Sequence, residues 1–322
     1  MAVDPETLAA ATLLVKAQAD SREQVSSATQ GAVAATVRAF LSWGDRDAVT
    51  RMAKALAAST RAGQKQTATG TAAYWARIVS LVTGRRVQPS RLVDVTKVRP
   101  VPLDVVYGRL ADQYRWLDVS RGPDTTPEVR LGYAVQAWRR DVDRWARTAD
   151  TLPSGFQVPR EPTVPPGLLT RDQILDRVVT RAEVVADTSL TLTMRAQLEQ
   201  AAKKDPRLVT GYRRVIHPEL SAGGTCGLCV AASTRVYYVD NLLPIHGRCR
   251  CTVTPMIGKA NSDGDIGGAI NESDLPTLYR LAGGTTAGAA LKRTRFRVVD
   301  HPETGKQLVS GDTAMFLAPQ GA

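Results

Sequence analysis

Apolar residues recur at helical spacing through the first 150 positions of the chain. Asp4 stands as an N-cap with Pro5 at the first helical position. Val33, Val37, Phe40 and Leu41 share one helical face, and Gly44 closes that run. Val49, Met52 and Leu56 carry the period into a second helix, and Tyr74, Ile78 and Leu81 into a third that stops at Gly84. Pro89, Pro100 and Pro102 predict an extended segment between Arg85 and Leu103. A fourth helix is expected over 104–117. In a fifth, Thr126 caps, Pro127 starts, and Leu131, Val135, Trp138, Val142 and Trp145 form an apolar stripe. All five tryptophans precede residue 150 and read as core anchors.

The pattern then breaks. Pro153, Pro159, Pro162, Pro165 and Pro166 mark a semi-extended linker over 151–169. Thr170–Arg171–Asp172–Gln173 matches a capping box and opens a helix whose stripe is Ile174, Val178, Ala182 and Val185, ending near Lys203–Lys204. From Leu208 the period shortens. Tyr212–Ile216 and Arg235–Val239 read as strands, with Cys251–Thr254 the partner of the second. The glycine-rich stretch after Pro255 predicts a loosely ordered tail with a short helix near 274–281. It ends in a hairpin from Arg293–Val299 through a turn at 302–305 to Gln307–Ser310. The expected fold class is mainly α with a small α+β module. The parts are a helical region over 1–150, the Pro-rich linker, a Cys/His-stapled module over 170–257 with short strands, and a Gly-rich tail over 258–322.

Charge changes the picture of partners. The 322 residues carry 42 Lys and Arg against 31 Asp and Glu, a net +11. An excess of that size suits a polyanion such as nucleic acid, or equally a soluble protein with many surface arginines. No apolar run reaches the roughly 18 residues of a membrane span. The start Met1–Ala2–Val3–Asp4–Pro5–Glu6 is acidic, unlike a secretory leader. A reducing cytoplasm is therefore the expected setting, where clustered cysteines serve as metal ligands or free thiols more often than as disulfides.

All four cysteines fall in one window: Cys226-x-x-Cys229, then His246-x-x-Cys249-x-Cys251. Thiolates and imidazole are the donors Zn²⁺ prefers, and two-residue spacing lets one turn present both sulfurs to one ion. Four-coordinate zinc takes four of these five candidates, so one is spare. Buried structural thiols, with His246 bonded to a backbone carbonyl, and disulfides formed after release from the cell are the alternatives. His217–Pro218–Glu219 before Cys226-x-x-Cys229 also touches the zinc-deaminase signature, with Glu219 as proton shuttle and His217 as a third ligand. Six residues separate Glu219 from Cys226, too few for the intervening structure, and Thr225 stands where that signature needs proline.

Lys292, Arg293, Arg295 and Arg297 surround Phe296, and in a strand the three arginines share one face, a candidate phosphate-binding surface. A solvated strand face is the alternative. No G-x-S-x-G elbow, P-loop or dinucleotide fingerprint occurs.

Cys226-x-x-Cys229, the aromatics Tyr237 and Tyr238, then Pro244-x-His246-x-x-Cys249-x-Cys251 and Pro255 together resemble the MuF-like head morphogenesis domain of tailed bacteriophages. The likeness covers about residues 170–256, and the helical region fits only by position and character. It implies a non-enzymatic minor capsid protein inside the head near the portal, made in the host bacterial cytoplasm. Its partners would be the portal protein, major capsid or scaffold proteins and packaged DNA. The donor chemistry of the cysteine window leaves the module held by structural Zn²⁺ or by its own thiols. The alternatives are a zinc-dependent nucleic-acid-modifying enzyme, a capsid maturation protease, for which the motif supplies no nucleophile, and a non-specific DNA-binding module. Some members of the family carry toxin domains after this module. A tail of about 65 residues is short for one on domain-size grounds.

Overall fold

A computed structural model describes residues 4–119, 127–147, 171–204, 208–217, 220, 232–233, 236–238, 250–257, 265–271, 296–301 and 305–310. It is mainly helical, with one three-stranded antiparallel sheet and a separate hairpin. Helix α1 (Pro5–Arg38) begins as expected: the Thr7 N–H donates to Asp4 Oδ1 at 2.8 Å and the Thr7 hydroxyl to Oδ2 at 2.7 Å. Helix α2 (Arg46–Thr83) is capped by Asp45, whose Oδ1 accepts from the N–H of Asp47 at 2.8 Å. It stops at Gly84, which takes the left-handed φ of 64° that an L side chain disfavours.

The expected second and third helices are one. Gly63 and Gly70 lie in its interior without breaking it. At Gly63 the reason is packing: an added Cβ would strike the Thr29 hydroxyl of α1 and come within 3.1 Å of Leu190. The glycine lets α1 come close against α2. Leu41, expected on the buried face, is 71 % exposed, because α1 has already ended at Arg38. Trp43 plugs the turn instead, stacked on Tyr114 at 4.4 Å and edge-on to Phe40 at 4.9 Å.

Helix α3 (Leu103–Val119) packs on α2, and α4 (Pro127–Arg147) on α3. Helix α5 (Arg171–Lys204) follows the linker in sequence, yet it packs along α1, α2 and α3. The helices of the bundle thus come from both sides of the Pro-rich segment. Ile174, Val178, Ala182 and Val185 are buried there, as their spacing predicts.

The sheet holds β1 (Gly211–Val215), β2 (Val236–Tyr237) and β3 (Thr252–Met256) in the order β2-β1-β3. The sequence predicted that the second and third strands pair with each other. Instead each pairs with β1, Tyr212 facing Tyr237 on one side and Pro255 on the other. Every residue of β1 and β3 is buried, so both faces of the sheet are covered. The hairpin of β4 (Phe296–His301) and β5 (Gly305–Ser310) matches the expected one within a few residues. The short helix expected near 274–281 lies outside the described residues.

Two apolar cores are stacked along the bundle. One gathers Val33, Val37, Trp43, Leu56, much of α3 and the first half of α5. The other gathers Val15, Tyr74, Trp75, Leu198, Tyr212 and Val253, sealing the sheet against the helices. Between them runs a polar layer: Ser26 and Thr29 on α1, Gln64 and Thr67 on α2, Asp187 and Thr193 on α5. It is held by side-chain hydrogen bonds such as Gln64 Nε2 to Thr193 Oγ1 at 2.9 Å and Thr60 to Tyr107 at 2.7 Å. No helix among the described residues is long and apolar enough to cross a membrane.

Candidate functional site

The bundle and the cysteine-bearing module meet at Cys251, which immediately precedes β3 and is 3 % exposed. Its sulfur accepts from Arg195 Nη2 of α5 and from Arg214 Nη1 of β1, each at 3.6 Å. Its carbonyl accepts from Arg22 Nη1 of α1 at 3.0 Å, and Nη2 of the same guanidinium donates to Thr191 Oγ1 at 2.8 Å. Three arginines from three elements therefore converge on one residue. Arg214 is fully buried, with its guanidinium 4.7 Å from the centre of the Tyr237 ring. Its backbone carbonyl accepts from Asn271 Nδ2 at 2.7 Å, which ties the segment 265–271 to the sheet.

The neighbouring Arg250 extends the junction. Its Nη1 lies 2.9 Å from Glu23 of α1 and 3.1 Å from Asp187 of α5. Asp187 also accepts the Ser26 hydroxyl at 2.6 Å. On β1, Arg213 makes a two-pronged ion pair with Asp265, Nε to Oδ1 at 3.1 Å and Nη2 to Oδ2, with side chains 5 % and 1 % exposed.

Among the described residues, five arginines (Arg22, Arg99, Arg195, Arg213 and Arg214) are buried against two buried acids, Asp187 and Asp265. A buried cationic excess is costly unless electron-rich groups face it. At this junction the facing groups are the Cys251 sulfur, backbone carbonyls and the Tyr237 ring. Guanidinium N–H donors aimed at a sulfur are the outer-shell partners that suit a metal-bound thiolate. The same donors suit a buried thiol.

Of the candidates read from the sequence, only Cys251 is placed by the structure at this junction. Cys226, Cys229, His246 and Cys249 lie outside the described residues, as do Glu219, Lys292, Arg293 and Arg295. Arg297 falls within β4. Among the described residues no group of three or more His, Cys, Asp or Glu is arranged to hold a metal. His217 is buried, its Nε2 2.8 Å from Thr252 Oγ1.

Sequence reasoning missed Arg22, Glu23, Asp187, Arg195 and Arg214. One signal was legible: Asp187 to Thr193 reads D-T-S-L-T-L-T, polar residues on every side of a helix. A helix segment polar all round either faces water or threads a buried polar layer, and α5 does the second. Comparison of the chain with protein-family models, with curated proteins and with solved structures returned no match.

Proposed function

We infer that this chain is a minor head protein of a tailed bacteriophage, placed inside the capsid near the portal and acting in procapsid assembly or in DNA packaging and ejection. The observation that carries the reading is the window Cys226-x-x-Cys229…His246-x-x-Cys249-x-Cys251 with Pro244 and Pro255, on which the MuF-like resemblance rests. Portal, major capsid or scaffold proteins and packaged DNA are the partners, and the role is structural rather than enzymatic.

The architecture is suited to that role. Three helices of 34, 38 and 34 residues form a stiff body about 50–57 Å long at 1.5 Å per residue. Cys251, at the entry to β3, is clamped to that body through Arg22, Arg195 and Arg214. Force applied to either part would pass to the other. Zn²⁺ in a structural role would draw four ligands from Cys226, Cys229, His246, Cys249 and Cys251, and would staple the module rather than run a reaction.

Quantitative mass spectrometry of purified virions tests the reading, comparing this chain with the portal and major capsid proteins. A few to a few tens of copies per particle is the expected result. Absence from the particle, with expression in infected cells, would overturn it.

A further inference from the structure

The net charge of this protein is not spread evenly over its helices. Helix α2 carries six cations (Arg46, Arg51, Lys54, Arg61, Lys65 and Arg77) against Asp47 alone, 6 − 1 = +5. Helix α1 carries three of each sign, and α5 six cations against five acids. Arg51, Lys54, Arg61 and Lys65 fall within about an 80° arc of α2 and span about 21 Å along its axis. Arg51, Lys54 and Lys65 are exposed and Arg61 is partly so.

Several surface cations elsewhere are matched, while others such as Lys16, Arg85, Arg86 and Arg177 stand exposed with no ion pair among the described residues. Arg38 pairs with Asp176, Lys97 with Asp94, Arg115 with Asp112 and Lys203 with Glu199. On the α2 ridge only Arg61 has a partner among the described residues, Asp104 at 3.8 Å. Arg61 and Lys65 stand at i, i+4 and Arg51 and Lys54 at i, i+3, the spacings at which like charges repel along a helix. Ala58 and Ala62 lie exposed between them, so little bulk stands between the ridge and an approaching surface. The aromatic residues of α2, Tyr74 and Trp75, are buried, which leaves no platform for stacking unpaired bases.

We propose that this ridge of α2 binds the phosphate backbone of duplex DNA without sequence preference. Duplex DNA presents about one negative charge per 1.7 Å of axis, so a row of cations of this length has several phosphates within reach. The inference deepens the head-interior reading by naming the surface that faces the genome, and it rests on that reading only for the source of the DNA. Virion mass spectrometry tests location, whereas the test below uses purified protein, so the two fail separately.

The full chain is titrated against a fluorescent random-sequence duplex of about 30 base pairs by anisotropy, between 50 and 200 mM KCl. Arg51→Gln/Lys54→Gln/Lys65→Gln removes three ridge cations, and glutamine keeps the helix. A control, Arg38→Gln/Lys97→Gln/Lys203→Gln, removes three paired cations and gives the same net charge, 11 − 3 = +8. Circular dichroism confirms that both variants retain their helicity. At about 0.9 per phosphate contact the ridge variant should lose about 2.7 from the slope of log K against log salt, and about a hundredfold in affinity at 0.15 M. The control should change affinity by less than about threefold. The proposal fails if both variants weaken binding equally, because net charge then suffices. It also fails if the ridge variant binds like the parent. Ridge-dependent binding to phosphatidylglycerol vesicles without binding to DNA would overturn it in favour of an acidic membrane.

Discussion

Asp265→Asn isolates the ion pair that fastens the segment 265–271 to the central strand. The substitution keeps the side chain's shape and removes its charge. Arg213 and Asp265 have side chains 5 % and 1 % exposed, and Asp265 Oδ1 also accepts the Gly268 N–H at 3.0 Å. Water cannot replace the lost carboxylate, so the buried guanidinium loses the two-pronged anionic contact that Asp265 gives it. Breaking such a pair costs about 3–5 kcal/mol. With an m-value of about 3 kcal/mol/M, the urea midpoint should fall by about 1–1.7 M, followed by tryptophan fluorescence. Replacing both partners with apolar residues, Arg213→Met with Asp265→Leu, removes the charge together with its partner and should recover most of the loss. The same change on a solvated pair, Asp176→Asn opposite Arg38 (side chains 60 % and 53 % exposed), should cost under about 1 kcal/mol. Two results would refute the reasoning: Asp265→Asn no more damaging than Asp176→Asn, or a double variant no more stable than the single.

Two further outcomes follow from the helical core. Gly63→Ala gains about 1 kcal/mol of helix propensity, yet its methyl group meets the buried Thr29 side chain and should destabilise by a net 1–3 kcal/mol or so, read as a lowered urea midpoint. Tyr107 has its phenol pushed up to about 12 by burial, against the pull of the Thr60 hydrogen bond and the Arg99 charge. Its neutral form is thus favoured in the fold. That contribution is full below about pH 10, where an unfolded tyrosine titrates, and is lost as pH rises through about 12. Tyr107→Phe should flatten the fall of melting temperature between those limits, and an unchanged alkaline profile would count against it.

Element positions along the helices were legible in the sequence because they follow from local chemistry. Asp4, Pro5 and Gly84 mark helix ends by hydrogen bonding and φ preference, and Ile174, Val178, Ala182 and Val185 mark a buried face by period alone. The clustering of four cysteines was equally plain. What the sequence left open was everything set by contacts between distant residues. The merging of the expected second and third helices into α2 is one such case: its interior Gly63 packs against Thr29 and Leu190 across the interface. Strand order went the wrong way because period 2 tells which residues alternate and says nothing of which strand lies between the others. The arginine cradle of Cys251 joins residues up to 229 positions apart, Arg22 and Cys251 among them, and no local pattern encodes that meeting. Arginine in a sequence reads as surface, since burying its charge is costly. Only the packed fold supplies the sulfur, the carbonyls and the carboxylates that offset the cost.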